Sequence, residues 1–305
     1  MTLHDLAADF TKNYMQTRLQ ASTMRGYTVN LNNHILPRLG DITPQELTAD
    51  DLDELTAELR GTLSNKSIIY VHATLRKMLA YALKRGYIEK SPYGTYDLPR
   101  VNTYRYNIWR EEELLTALHQ IKGTNIEIPV TMALCYGLRR GECLGLIPSL
   151  DLDPKNNVLH VQRSRSVERG GLIITPCKTK HSNRHILLRP EHSRLLLRSC
   201  LPGQYAYDAS PKTLDNNFKK FMELNNLPLI RFHDLRHSYA TYMLYKGVNP
   251  KIVSGVLGHS SVKVTLDLYS HPDVSMQSVC LDAFGTLGSS GTERRYEKHQ
   301  KQNVL

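Results

Sequence analysis

The chain has 305 residues, enough for two ordinary domains, and its 41% hydrophobic and 22% charged residues are typical of a soluble globular protein. Its formal net charge of +10 favours a polyanionic partner, nucleic acid before an acidic membrane surface, although a merely basic surface explains the charge equally well. The longest apolar stretch, Ile126 to Leu138, contains Glu127 and Pro129 and is too short to span a bilayer, so we expect no membrane association.

The cysteines and the N-terminus predict a cytoplasmic protein. The five cysteines are an odd number without a Cys-x-x-Cys pair, and four of them lie in apolar or mixed segments, which favours reduced thiols and no structural zinc. The first residues lack the basic and apolar regions of a signal peptide. The cysteines are Cys135, Cys143, Cys177, Cys200 and Cys280.

The first 90 residues predict four amphipathic helices. Polar caps precede apolar residues that recur at helical spacing, and glycine or proline marks three of the ends. The predicted helices begin at Thr2, Ser22, Thr48 and about Asn65, and the last three end before Pro37, at Gly61 and at Gly86.

The fourth helix also carries a basic and aromatic stripe opposite its apolar face. Lysines in such a stripe can meet phosphates and its tyrosines can reach base edges, which suits a helix laid in a DNA groove. An ordinary solvated face explains the spacing as well, and the same two interpretations hold for Thr23, Arg25, Asn30 and Asn33 of the second helix. The stripe comprises Lys66, Tyr70, Thr74, Lys77, Tyr81 and Lys84.

Residues 91–107 predict a basic linker, because they contain prolines, a glycine, four tyrosines, Arg100 and Arg105 but little helical period. Beyond it, three short strands are predicted at Val158–Val161, Leu172–Thr175 and His185–Leu188, the first two joined around Gly170 and Gly171, and helical patterns surround them. The fold class is therefore mainly α with a small antiparallel β-sheet, an α+β protein. Residues 286–305 are rich in polar and charged residues and predict a disordered tail.

Two arginines stand in motifs suited to a phosphodiester. Arg139 lies in Gly-Leu-Arg-Arg-Gly-Glu and Arg236 in His-Asp-Leu-Arg-His. Planar guanidinium groups match the two non-bridging oxygens of a phosphate in a fork geometry. Glu142 follows Arg139 by three residues, one helical turn away, where it can orient an arginine or cap a helix. Either arginine alone is explained as well by surface charge.

His233 precedes Arg236 by three residues and shares a helical face with it, so it can accept a proton from a tyrosine close to the same phosphate. Two other interpretations stay open. His233 and His237 have the spacing of a zinc-protease pair, with a shorter Asp in place of the catalytic Glu, and a histidine pair can also lack any function.

Three further side chains complete a chemistry of phosphoryl transfer. Lys178 lies between an apolar strand and a polar turn, from which it can protonate a leaving 5′ oxygen, although turn lysines are common. His259 follows Gly258 at a helix junction, where it can donate to a phosphate oxygen or simply pack. Tyr269 is a candidate nucleophile for covalent attack on a DNA phosphodiester.

These motifs occur in one order, and in that order the chain resembles the tyrosine recombinase (phage-type integrase) family. The resemblance is specific over residues 109–285 and loose over 1–100. It rests on Gly-Leu-Arg139-Arg-Gly-Glu142, Lys178-Thr-Lys-His-Ser-Asn-Arg184, His233-Asp-Leu-Arg236-His237, Leu257-Gly-His259-Ser and Thr265-Leu-Asp-Leu-Tyr269-Ser-His.

The resemblance implies a helical core-site DNA-binding domain at 1–90, a linker at 91–107 and a catalytic domain at 108–285, which form a clamp around DNA. Tyr269 would form a 3′-phosphotyrosyl link, Arg139, Arg236 and His259 would hold the phosphate, and Lys178 and His233 would act as general acid and base. Neither a metal nor another cofactor is required. The predicted DNA contacts are Arg25, Lys66, Tyr70, Lys77, Lys84, Arg100, Arg105, Lys180 and Arg184.

The family resemblance also implies partners. We expect a monomer in solution and a homo-tetramer on double-stranded DNA with specific recombination sites, in which residues 274–284 pack onto a neighbouring protomer. Accessory DNA-bending or directionality proteins are expected, and the location is the cytoplasm, at the nucleoid when DNA is bound. The chain starts directly with the core-binding helices, so an N-terminal domain for arm-type sites is expected to be absent from it, either by nature or by truncation.

We favour a recombinase that acts for a phage or another mobile element. The alternatives are a recombinase that resolves chromosome dimers and a type IB topoisomerase. Two further alternatives are distinguished by simple properties. A non-catalytic DNA-binding protein would not need Tyr269, and a zinc hydrolase, unlike a recombinase, would lose its activity with a chelator.

Overall fold

The computed structural model describes residues 1–94, 96–100, 107–168, 171–176 and 182–267, and it divides into two compact units, Met1–Arg105 and Tyr106–Leu305. Within the described ranges, no helix is both long enough and apolar enough to cross a membrane. Several predicted features lie outside these ranges: Arg105, Cys177, Lys178, Lys180, Tyr269, Cys280, residues 274–284 and the tail.

The first unit contains the four predicted helices, two of which pass through a π-helical turn. A buried apolar face on each helix forms one core, which includes Phe10, Ile35, Leu55 and Leu75. The segments are α1 (Leu3–Phe10), a π turn (Thr11–Met15) and α2 (Gln16–Arg18); α3 (Ala21–Asn30), a π turn (Leu31–Ile35) and α4 (Leu36–Leu39); α5 (Ala49–Arg60); and α6 (Asn65–Arg85).

The helix caps follow the chemistry of the sequence. Thr2 and Asp5 form a reciprocal capping box at α1, and Thr48 and Asp51 form another at α5. Gly86 ends α6 in the left-handed conformation, with φ 73°, as its lack of a Cβ permits.

The predicted end of the second helix before Pro37 is wrong, because the helix continues through Pro37 to Leu39. Proline lacks the N–H that would bond to the carbonyl of Asn33. The π turn at Leu31–Ile35 changes the local hydrogen-bond pattern, and the Arg38 guanidinium donates to the carbonyl oxygens of Asn33, at 3.5 Å, and His34, at 3.1 Å. Arg38 thus supplies donors where the backbone cannot.

Three side chains predicted on exposed helix faces are buried instead. Asn30 donates from Nδ2 to Thr74 Oγ1 at 2.8 Å, which joins α3 to α6, and Tyr81 donates its hydroxyl to Asp9 at 2.6 Å. The prediction was wrong because periodicity does not distinguish a solvated polar residue from a buried one that has a partner. The remaining predicted DNA contacts on these helices are exposed: Arg25, Lys66, Tyr70, Lys77 and Lys84.

The described part of the predicted linker packs against the helices. Fully buried His72 bonds from Nδ1 to the Tyr93 hydroxyl at 2.9 Å and from Nε2 to Thr56 Oγ1 at 2.8 Å, and Tyr96 stacks on its ring. Burial lowers the pKa of His72 to about 4. Tyr93 and Tyr96, which are predicted as linker residues, therefore pack with the core of the first unit, while Arg100 is exposed.

The second unit is an α+β structure, which confirms the predicted fold class. Its core begins at Trp109, whose indole donates to the carbonyl of Pro228 at 2.9 Å. Cys143 is buried, and Cys135 and Cys200 are half-buried free thiols. The helices are α7 (Glu111–Gln120), α8 (Glu127–Tyr136), α9 (Arg140–Leu144), α10 (Pro148–Asp151), α11 (Pro190–Arg198), α12 (Pro211–Leu224), α13 (Asp234–Tyr245), α14 (Pro250–Leu257) and α15 (Val262–Asp267).

In the part of the second unit that the structure describes, two small antiparallel sheets are present instead of the predicted single one. The first has the order β1-β2-β5, with Leu159 opposite Ile186, and the second pairs β3 with β4, with Val167 opposite Leu172. The sequence prediction missed β3, because its Arg-Ser-Arg-Ser run lacks apolar alternation. The strands are β1 (Leu152–Asp153), β2 (Val158–Val161), β3 (Arg163–Glu168), β4 (Gly171–Pro176) and β5 (Arg184–Leu187).

Candidate active site

The turn between α8 and α9 places Arg139. Gly137 ends α8 with φ 65°, and a Cβ there would lie 2.4 Å from Leu257 Cδ2 and 2.9 Å from Tyr239 Cδ1, so glycine is required on both counts. Arg139 follows in an extended conformation as the N-cap of α9. A Cβ on Gly141 would lie 2.3 Å from Ser164 Oγ, so this glycine allows β3 to approach α9 closely.

Glu142 is the buried anion of the site. It accepts from the backbone N–H of Arg139 at 2.9 Å and from its Nη1 at 2.8 Å. It also accepts from Nη1 and Nη2 of Arg184, at 3.0 and 2.9 Å. Burial would raise the pKa of Glu142, but the hydrogen bonds and charges of Arg184 and Arg139 outweigh it and hold the pKa below its usual range. Glu142 is therefore an ionised link between two arginines.

Arg184 corrects a sequence-based assignment. It was predicted as a DNA contact, but its side chain is only 6% exposed, and its guanidinium donates to Glu142 and to the carbonyls of Val256 and Ser182. Its donors are thus directed into the protein. The charge of an arginine beside a lysine motif indicates a phosphate contact, and only the tertiary structure reveals the buried carboxylate.

Three consecutive carbonyl groups at the C-terminus of α14 each accept a hydrogen bond from a different arginine. Val256 accepts from Arg184 Nε, Leu257 from Arg236 Nη2 at 2.6 Å and Gly258 from Arg139 Nη2 at 3.0 Å. A helix C-terminus offers unsatisfied carbonyls and a partial negative charge, both of which suit a cation. The C-terminus of α14 therefore binds all three guanidinium groups, and we call the carbonyl groups of Val256, Leu257 and Gly258 the arginine seat.

Arg236 and Arg139 differ in their access to solvent. Arg236 is 3% exposed, and its Nη1 donates to the carbonyl of Gly137 at 2.5 Å. Burial, and then the charge of Arg139, lowers the pKa of Arg236 to about 9, so it remains protonated at neutral pH. The Arg139 side chain is 34% exposed and can meet a ligand directly. The pair offers an anion two fixed positive charges.

His259 lies directly after the arginine seat. The left-handed Gly258 ends α14, and the half-buried His259 bonds from Nδ1 to Thr265 Oγ1 at 2.8 Å. Burial, followed by the charges of Arg236 and Arg139, lowers the pKa of His259 to about 4. The imidazole is thus neutral at pH 7 in the absence of an anion and carries one N–H.

His233 is the exposed N-cap of α13, and its ring meets that of His237 edge to face at 4.9 Å. Partial burial and the charges of Arg236 and Arg139 lower the pKa of His233, which favours a neutral imidazole able to accept a proton. Within the described ranges, no group of three or more His, Cys, Asp or Glu residues is arranged to hold a metal, so the zinc alternative lacks a third ligand there.

The structure thus brings together Arg139, Glu142, His233, Arg236 and His259, while Lys178 and Tyr269 lie outside the described residues. Two features were missed from the sequence. One is the carbonyl seat on α14, which no side-chain motif encodes. The other is Thr265, whose only sequence signal is its place between His259 and Tyr269.

Two family models and several known proteins match this chain. Residues 110–276 match the phage integrase family, and residues 2–59 match the phage integrase N-terminal SAM-like domain. Over 263 residues, 79% of this chain and 71% of the relative, the chain is 26% identical to the ICEBs1 integrase of Bacillus subtilis. Over 274 residues, 84% of this chain and 88% of the relative, it is 27% identical to the tyrosine recombinase XerC of Shewanella amazonensis.

A solved structure has the same fold. The Tn1549 transposon integrase, in complex with transposon right end DNA, superposes with a TM-score of 0.78 at 21% identity and covers 93% of this chain and all of its own. Because the family match alone extends over more than half of the sequence, the chain belongs to the phage integrase family, the tyrosine-type site-specific recombinases that break and rejoin DNA.

Proposed function

We propose that this protein is the integrase of a phage or another mobile element, and that Tyr269 is its nucleophile. The observation that carries the proposal is the seating of Arg139 and Arg236 on adjacent carbonyls of α14, next to His259. The similarity to the ICEBs1 and Tn1549 integrases favours a mobile element over a chromosomal role.

The phosphate would be held by the two arginines and His259. The partly exposed guanidinium of Arg139 would bind one non-bridging oxygen, and the buried guanidinium of Arg236 would add a second positive charge. Because both are fixed before DNA binds, no reorganisation is needed as negative charge grows in the transition state. His259 would donate a hydrogen bond to the second oxygen.

Cleavage would exchange one phosphoester for another. The Tyr269 hydroxyl oxygen attacks phosphorus, its proton passes to His233, and the bond from phosphorus to the 5′ oxygen breaks. Lys178 gives a proton to that oxygen, which leaves as a 5′ hydroxyl. The 5′ hydroxyl of a partner strand then reverses these steps, so the bond energy is conserved and no ATP is required.

The DNA would be bound by both units. The exposed stripe of the first unit, Lys66, Tyr70, Lys77 and Lys84, together with Arg25, would meet phosphates and bases, and Arg100, Arg105 and Lys180 would add backbone contacts. The recombining assembly would be a tetramer on two sites, with residues 274–284 packing onto a neighbouring protomer. DNA-bending or directionality proteins would set the direction of the reaction.

A supercoiled plasmid with two copies of the element's joined ends tests this function. We expect the protein to produce two recombinant circles, with or without EDTA. Relaxation without joining would instead support a type IB topoisomerase. The second candidate function is the resolution of chromosome dimers, which the similarity to XerC favours. Recombination at chromosomal dimer-resolution sites but not at the element's ends would support it. Sensitivity to EDTA would contradict the metal-free mechanism.

A further inference from the structure

The side chain of Thr265 is fully buried, and its hydroxyl lies 2.8 Å from Nδ1 of His259. Threonines within helices commonly donate back to the carbonyl four residues earlier, as Thr28 and Thr74 do in this protein, at 2.9 and 3.0 Å. The hydroxyl of Thr265 is directed instead to a histidine six residues earlier in the chain. A local helical preference therefore does not account for its orientation.

We propose that Thr265 is a positioning residue for the recombination reaction: its hydroxyl fixes the ring of His259 with Nε2–H directed at the scissile phosphate. This inference rests on the proposed role of His259 in holding that phosphate. A neutral imidazole has one N–H, and the partner of one ring nitrogen determines which nitrogen carries it. When the Thr265 hydroxyl donates to Nδ1, the ring proton stays on Nε2, the nitrogen left to meet the anion.

The charges around His259 favour this arrangement. Arg139 and Arg236 donate to the carbonyls of Gly258 and Leu257, the two residues before the histidine. An anion drawn to these arginines would meet a lone pair if Nε2 were unprotonated, and a hydrogen-bond donor if it were protonated. A hydroxyl can also reverse its role and accept from Nδ1 if the imidazole becomes charged next to a bound phosphate. Thr265 thus supports His259 in both protonation states.

The position of Thr265 in the chain adds a second consequence. Thr265 lies in α15 (Val262–Asp267), which packs against α14, and it precedes Tyr269 by four residues. The hydrogen bond therefore joins the segment that leads to the nucleophile with the histidine that would hold the phosphate. When α15 packs against α14, the hydrogen bond from Thr265 thus also orients His259.

A double-mutant cycle tests the inference. Thr265→Val keeps the shape of the side chain and removes the hydroxyl, whereas Thr265→Ser keeps the hydroxyl. With a nicked duplex that traps the covalent complex, we expect Thr265→Val to slow adduct formation by about 10–100-fold, as loss of an orienting partner does elsewhere. Thr265→Ser should stay within about 3-fold of the original rate, because one hydrogen bond is retained. Thr131→Val, at a buried threonine of α8, should change the rate little.

The decisive arm is the same change in a His259→Gln background. If Thr265 acts through His259, Thr265→Val should then slow the reaction by less than about 2-fold, since coupled residues are not additive. A full 10–100-fold loss in both backgrounds would show a purely structural role and overturn the inference. A His259→Gln protein with undiminished cleavage would instead overturn the proposed role of His259 itself, so the two failures are distinguishable.

Nitrogen NMR of His259 provides a readout that is independent of DNA. We expect the ¹⁵N shifts of the unaltered protein and of Thr265→Ser to report a proton on Nε2, and those of Thr265→Val to report a mixture of tautomers. The same single tautomer in all three folded proteins would contradict the inference.

Discussion

Glu142 accepts two parallel N–H donors from Arg184, at 3.0 and 2.9 Å, although the residues lie 42 positions apart in the chain. The same carboxylate accepts from Arg139 at 2.8 Å. The pair with Arg184 is almost completely buried, so removal of one partner leaves the other as an uncompensated charge. Glu142 therefore stabilises the fold and fixes the arginine that would meet the phosphate.

Replacement of Glu142 by Gln should lower the free energy of unfolding of the second unit by about 3–5 kcal/mol, the cost typical of a broken buried ion pair. Chemical denaturation followed by the fluorescence of Trp109, the single tryptophan, measures this unit. The matched control is Glu223→Gln, which breaks the exposed pair with Lys219 in the same unit and should cost less than about 1 kcal/mol. Equal losses of stability in the two variants would contradict the account.

Arg184→Lys should destabilise the second unit without weakening non-specific DNA binding. Lysine cannot reproduce the parallel donors to Glu142, so we expect a loss on the order of 2 kcal/mol. The salt dependence of binding to a random duplex should stay unchanged, because the buried guanidinium meets no phosphate. Exposed Lys66 is the comparison: Lys66→Gln should reduce the slope of log K against log salt by about 1. If the folded Arg184→Lys protein instead showed a reduced slope, Arg184 would be a DNA contact after all.

His72 should make the first unit sensitive to acid. Its pKa is lowered to about 4 by burial, so the folded protein favours the neutral ring. Below pH 6.5, His72 takes up a proton in the unfolded chain but not in the folded chain. The free energy of unfolding of the first unit therefore decreases as the pH falls from 6.5 to about 4. The loss approaches ~3 kcal/mol. Hydrogen exchange of α5 and α6 in the full chain should show it.

His72→Gln removes the titrating ring and serves as the control. Its first unit should be less stable at pH 7, because buried hydrogen bonds with Thr56 and Tyr93 are disturbed. Its stability should nevertheless change less than that of the original protein between pH 6.5 and 4. An equally steep loss in a folded His72→Gln protein would assign the acid sensitivity to other groups.

Arg139→Lys should reduce the rate of cleavage by about 10²–10³-fold, because a point charge replaces a fixed planar donor in the transition state. The neighbouring Arg140 is exposed and pairs with Asp215, so Arg140→Lys provides a control of the same chemistry one residue away. It should change the rate by less than about 3-fold, as expected for a surface pair. Similar losses in the two variants, measured by single-turnover trapping on a nicked duplex, would argue against a specific role of Arg139.

The sequence predicted features that depend on local chemistry. The caps at Thr2 and Thr48, the left-handed end at Gly86 and the α+β class all follow from short patterns, and the order of the motifs identified the family. Patterns of this kind hold because neighbouring residues satisfy them without help from the rest of the chain.

The features that the sequence did not predict depend on distant partners. Arg184 carries the same charge whether it meets DNA or Glu142, and Asn30 looks solvated until Thr74 is opposite it. The seat on α14 consists of backbone carbonyls, which every residue has, so no residue type marks it. Only tertiary structure determines which backbone or side-chain partner each of these groups finds.

The most direct test of the central claim is to locate the phosphate bond between protein and DNA. A nicked duplex that carries the element's end should trap a covalent complex that survives denaturant and EDTA. Digestion and mass spectrometry should then find the nucleotide on Tyr269, and Tyr269→Phe should form no complex. A complex that persists in Tyr269→Phe, or a nucleotide on any other residue, would contradict the account.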